Sequence, residues 1–143
     1  MEQTNLRKQV LHLDTVLKRL DKSFLEVKDE DKADLKNLFS TVFPIIILEL
    51  TLNPILMKSS TDGVLSPISH EKVLLCIHAY MNDEFTLTDD FFIKESRNKK
   101  FSEISFRQQN YLHYLNLHLV IASPTNSNDD INSLLAFYKT INY

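Results

Sequence analysis

The chain has 143 residues, with 16 Lys and Arg against 19 Asp and Glu, and a single glycine, Gly63. That length suits one domain with a core that needs no staples, and one glycine excludes a phosphate-cradling loop or a dinucleotide fingerprint, each of which needs at least two. A net charge of −3 gives no general attraction to nucleic acid or to an anionic membrane, and the lone Cys76 excludes an internal disulfide.

In chain order, the first element is carried by a spacing. Leu6, Val10, Leu13, Leu17, Leu20, Phe24 and Val27 follow one another at alternating steps of four and three. This seven-residue apolar repeat predicts one long amphipathic, coiled-coil-like helix over about residues 5–27. The stripe is also the candidate partner-binding surface. It packs on the rest of the chain, or pairs with a second copy in a homodimer or with a target. Leu11 and Leu25 widen it beyond a two-residue seam, and the flanking charges do not form regular pairs, which suits packing within a bundle.

Asp29 predicts the cap of a second helix, with Leu35, Leu38, Phe39 and Val42 as its buried face. Pro44 predicts a bend or restart there. Residues 44–53 read as either buried helix or strand, with helix favoured. Residues 58–66 predict a polar loop around Gly63. Ser66-Pro67 reads as a helix start, and that helix carries Val73, Leu74, Ile77, Ala79 and Tyr80 to about Asn82. Residues 84–93 are ambiguous, and residues 94–100 read as a basic loop. Ser102 and Glu103 predict the start of a second long helix to Ala122, although Leu115 to Ile121 also alternates as a strand would. Pro124 ends it, and Ser127 to Asp130 opens a C-terminal helix burying Ile131, Leu134, Leu135, Tyr138 and Ile141.

No constellation stands out for chemistry. Cys76 and His78 are two apart, so on a helix they point in different directions, and the apolar neighbours of Cys76 make it a buried structural thiol. His113 and His118 are about 140° apart on an ideal helix, and His70 and His78 are two turns apart, so neither pair predicts a metal face. The acidic pairs Asp89-Asp90 and Asp129-Asp130 fit helix N-termini better than paired catalytic carboxylates. Lys94, Arg97, Lys99, Lys100 and Arg107, interleaved with Phe101 and Phe106, form the one basic cluster that could track a phosphate backbone. Glu95 and Glu103 interrupt it, and a solvated loop is the simpler reading.

The expectation is therefore an all-α fold: a single-domain helical bundle of five to seven helices over 1–143, with short strands at most. The expected function is non-enzymatic and protein-binding: an inhibitor, immunity-type or adaptor protein that associates stoichiometrically with a partner. In size and composition alone the chain is loosely similar to small helical immunity proteins, phage-encoded inhibitors and helical virulence adaptors; no motif carries the comparison. The alternatives are a nucleic-acid-binding regulator using the basic loop 94–107, and an enzyme whose catalytic residues are scattered in sequence. No cofactor, no metal and no membrane are expected, and nucleic acid is the less favoured partner. The apolar stretch from Val42 to Met57 is broken by Pro44, Glu49, Asn53 and Pro54 and is too short for a span of ~20 residues. Residues 1–5 lack a secretory leader's basic start, so a cytoplasmic location is expected.

Overall fold

A computed structural model describes residues 6–50 and 52–122, with three further positions at 132, 133 and 136. The elements are β1 (Leu6–His12), α1 (Leu13–Arg19), α2 (Lys32–Ile47), β2 (Ile55–Ser59), β3 (Leu65–Pro67), α3 (Glu71–Met81), α4 (Phe106–His113) and β4 (Asn116–Ala122). The four strands form one mixed sheet in the order β1-β4-β2-β3. β1 and β4 are antiparallel, β4 and β2 parallel, and β2 and β3 antiparallel. Over the described residues the protein is thus mixed α/β, 49% helical and 19% strand, and the all-α bundle predicted from the sequence is wrong.

The long N-terminal helix is the largest error. A step of four residues keeps two side chains on one face of a strand as well as of a helix, so Leu6 and Val10 fit β1. The odd step from Val10 to Leu13 falls where β1 gives way to α1. Leu20 bridges to Leu65, and Lys22–Leu25 is a 3₁₀ turn. The helical repeat is therefore divided among a strand, two turns of helix and a 3₁₀ turn. What overrides it is remote in sequence. Leu117, Leu119 and Ile121 are buried on one side of β4, and β1 pairs along all seven of its residues with this strand.

Contacts divide the chain into two compact units. The sheet unit contains described residues 6–21, 53–70 and 116–122. Its core holds Leu13, Val16, Leu20, Ile55, Met57, Leu65 and the inward residues of β4, all at most 3% exposed. The β2–β3 hairpin turns at Gly63, whose φ of +80° is left-handed and suits glycine. The Ser60 hydroxyl accepts from the Val64 N–H and holds that turn. Ser66-Pro67 belongs to β3 rather than to a helix start. Ser69 accepts the Leu56 N–H through its hydroxyl at 2.9 Å, which fastens the chain leaving β3 to β2.

The helical unit spans residues 22–52 and 71–115. Leu35, Phe39 and Val42 are buried on α2 as predicted, with Leu38 half-buried. Pro44 does not end α2, which continues to Ile47. A proline inside a helix costs about 3 kcal/mol or more, and burial of Phe43 and Ile46 on either side of it offsets that cost. The core is aromatic. Phe39 stacks on Tyr80 of α3 with ring centroids 4.3 Å apart and on Phe43 at 5.0 Å. Phe85, Phe91 and Phe101 extend the cluster. The Tyr80 hydroxyl donates to the Lys99 carbonyl at 3.1 Å. The predicted second long helix is instead a short α4, capped by the Ser105 hydroxyl, followed by β4. Of the predicted C-terminal helix only Asn132, Ser133 and Ala136 are described, all helical, while its predicted buried residues and the Asp129-Asp130 pair lie outside the described residues.

Candidate functional site

The pleat sorts the sheet into two faces. Leu117, Leu119 and Ile121 point inward, while Asn116 and His118 are exposed and Val120 is half-buried on the other side. On β1, Leu6, Lys8, Val10 and His12 share that outer face, because Val10 opposes His118 and Lys8 opposes Val120. Leu56 of β2 continues the second row, opposite Val120. An open groove of about 420 Å³ lies here, lined by Lys8, Gln9, Val10, Pro54, His118, Leu119 and Val120. Its outward-facing apolar side chains on the strands are Val10 of the edge strand β1 and Val120 of the inner strand β4. Its charged and polar groups are Lys8, Gln9 and His118.

Two features mark this region. First, β1 is a sheet edge among the described residues, so one side of its backbone pairs with no described strand. It carries exposed apolar side chains, with Val10 53% exposed. Second, none of the four strands contains an aspartate or a glutamate. They carry Arg7, Lys8, Lys58, His12 and His118. Asp14, Asp21 and Asp62, the described acids of this unit, lie off the strands. In a chain of net charge −3, the sheet is a positive island. The buried Gln9 Oε1 has no hydrogen-bond partner among the described residues.

The seven predicted partner-binding residues do not form one helical stripe, since β1, α1 and a 3₁₀ turn divide them. Leu13 and Leu20 are buried at 0% and 3% exposure, so the sheet unit's own core consumes them. Leu17, Phe24 and Val27 are half-buried. Leu6 and Val10 alone remain exposed, on β1. Lys8 and His118 lie outside the apolar repeat that predicts partner binding. The signal that could have found them is the alternation from Leu115 to Ile121, which places His118 opposite the buried leucines.

The basic cluster lies in the helical unit. Arg97 Nε donates to the Phe91 carbonyl at 2.6 Å, so this side chain braces the loop. The Asn98 N–H donates to the Leu87 carbonyl, and the Leu87 N–H donates to the Lys99 carbonyl. Lys94, Lys99, Lys100 and Arg107 are exposed, as are Glu95 and Glu103, and Glu103 accepts the Lys100 N–H. Phe101 is spent on edge contacts with Tyr80 and His113, whereas Phe106 is 75% exposed.

Cys76 is fully buried, its thiol 3.1 Å from the Val73 carbonyl, and burial pushes its pKa up to about 12. Burial likewise raises the Tyr80 phenol above its ordinary value, with the Asp83 and Glu103 carboxylates adding to it. His78 is half-buried, which lowers its pKa, and its ring lies 3.2 Å from the Asn82 amide. His70 is lowered for the same reason, and its Nδ1 lies 3.2 Å from the Ser69 hydroxyl. Asp89 and Asp90 are exposed in a turn and do not start a helix as predicted. Among the described residues no three His, Cys, Asp or Glu side chains gather as a metal site would require, and no helix is long and apolar enough to cross a membrane. No family model, curated protein or solved structure matches the chain.

Proposed function

We propose that the protein works by stoichiometric binding of a partner protein, without catalysis, as an inhibitor, immunity-type or adaptor protein. The observation that carries this reading is β1: a seven-residue edge strand with exposed Leu6 and Val10 beside an open groove. Edge strands present a row of hydrogen-bonding groups that another chain can extend, and proteins ordinarily blunt or cover them. The groove offers apolar contact next to that edge, which is the combination that strand addition uses. The groups most perturbed by burial, Cys76 and Tyr80, sit in the packed core of the helical unit. A thiol with a pKa near 12 holds almost no thiolate at neutral pH, so it supports no nucleophilic role.

The test is capture of a partner from an extract of the source cell by the wild-type chain and by Val10→Asp, followed by native mass spectrometry. The expected result is a one-to-one complex with the wild type that is lost with the variant. A wild-type chain that retains no protein, or turnover of a substrate by the purified chain, would overturn the reading.

A further inference from the structure

We propose that the β1 edge takes up an acidic, extended segment of the partner, which adds as a fifth strand beside β1. This rests on the protein-binding reading and names the partner's chemistry. The outer face of β1 presents Leu6, Lys8, Val10 and His12 in sequence, apolar and basic by turns. Side chains directly opposite one another on adjacent strands are ~4.5–5.5 Å apart. The added strand therefore carries apolar residues opposite Leu6 and Val10 and carboxylates opposite Lys8 and His12. His118, one strand further in, is a diagonal neighbour of Lys8 through the Val10–His118 and Lys8–Val120 pairs. Its imidazole N–H offers a further hydrogen-bond donor on the same face. No described carboxylate forms an ion pair with Lys8 or His118; both ion pairs among the described residues belong to Lys32.

The same charges decide against a second copy as the occupant. Two β1 edges paired antiparallel along their length, centred on Gln9, would set each Lys8 opposite a Val10 and diagonal to the other Lys8, and the strands contribute no acid to offset them. A lysine on an edge strand is a common device against self-pairing. Here it rejects copies of the chain and accepts an acidic strand, so one residue supplies both the repulsion and the attraction that specificity needs.

The test uses the full chain and two labelled nine-residue peptides. One is Glu-Thr-Val-Thr-Glu-Thr-Val-Thr-Glu, which fits in either strand direction; the other has lysine at each glutamate. In fluorescence anisotropy at low salt, the acidic peptide should bind at least about tenfold more tightly than the basic one. Lys8→Glu should reverse that preference, and Val10→Asp should weaken the acidic peptide. Both side chains are exposed, so the variants should keep the wild-type thermal midpoint. Amide exchange within Leu6–His12 should slow when the acidic peptide is added. Equal binding of the two peptides, no binding, or protection outside β1 would each overturn the proposal. So would a single-stranded oligonucleotide that protects β1 as well as the acidic peptide does, since the site would then accept any polyanion. Failure here is distinct from failure of the protein-binding reading. A partner captured one-to-one by both the wild type and Lys8→Glu would leave protein binding standing without this docking mode. Peptide binding with no captured partner would do the reverse.

Discussion

The two units of this protein are built on opposite terms. The helical unit presents each half of its core from side chains close in sequence, Phe39 and Phe43 one helical turn apart on α2 and Phe85 five residues after Tyr80, and only then joins the halves through the Phe39–Tyr80 stack. The sheet unit draws its strands from 6–12, 55–59, 65–67 and 116–122, so β1 and β4 pair across more than a hundred residues. Local periodicity describes the first kind of structure well. It has nothing to say about the second, where the partner that decides a segment's conformation is elsewhere in the chain.

The sharpest test of this contrast is Phe39→Ala. Phe39 has no exposed surface and meets three rings, and its loss should cost ~3–5 kcal/mol in urea unfolding. Leu119→Ala, at 1% exposure on β4, should cost ~2–5 kcal/mol. It should also raise amide exchange in β1 and β2, which both pair with β4. If β1 amides were unaffected, the sheet would not depend on β4 as described. Tyr80→Phe keeps the ring but removes the bond to Lys99, so a loss of about 1 kcal/mol is expected. A loss as large as that of Phe39→Ala would mean that the hydroxyl, not the aromatic cluster, holds the loop.

A pH titration tests the helical unit more gently. Burial lowers the pKa of His78, so the folded chain binds fewer protons there than the unfolded chain. That contribution to stability is complete above about pH 6.5, the ordinary histidine value, and is lost as pH falls through the lower folded value. His78→Gln should remove this part of the acid sensitivity, as read from thermal midpoints between pH 7 and pH 5. The smallest effect is expected for Val10→Thr. Val10 is 53% exposed, so the change should stay within about 0.5 kcal/mol. Partner affinity should nevertheless fall, separating the binding edge from the core beneath it.

How much was legible follows the same division. α2 and α3 could be read from apolar spacing because each buries a face within its own unit. The stripe from Leu6 to Val27 misled because steps of four satisfy strand and helix alike, and the odd steps fall at or beyond the β1–α1 boundary. β2 straddles the end of the apolar stretch and the start of the predicted polar loop, and β3 straddles the end of that loop and the predicted helix start at Ser66-Pro67. Their residues gain strand geometry from β4 and from the Ser69 anchor, neither of which is local. β4 was half legible, since its alternation is visible but continuous with a helical pattern through Leu112. Of the candidate site, Leu6 and Val10 were visible as apolar residues, but their exposure was not. Lys8 and His118 acquire their meaning from the register that sets them on one face.

The strand order has a consequence for how the chain is made. β4 is the strand that joins β1 to β2, and it is the last of the four to be synthesised. As the nascent chain lengthens, β1 leaves the ribosome first and waits with both of its edges unpaired until residue 122 follows. All the residues of the helical unit emerge in that interval, and domains generally fold as units during synthesis. β1 is therefore without its sheet partner throughout the interval in which residues 13–115 are made, when a lysine and an arginine on the strand disfavour its pairing with neighbouring copies.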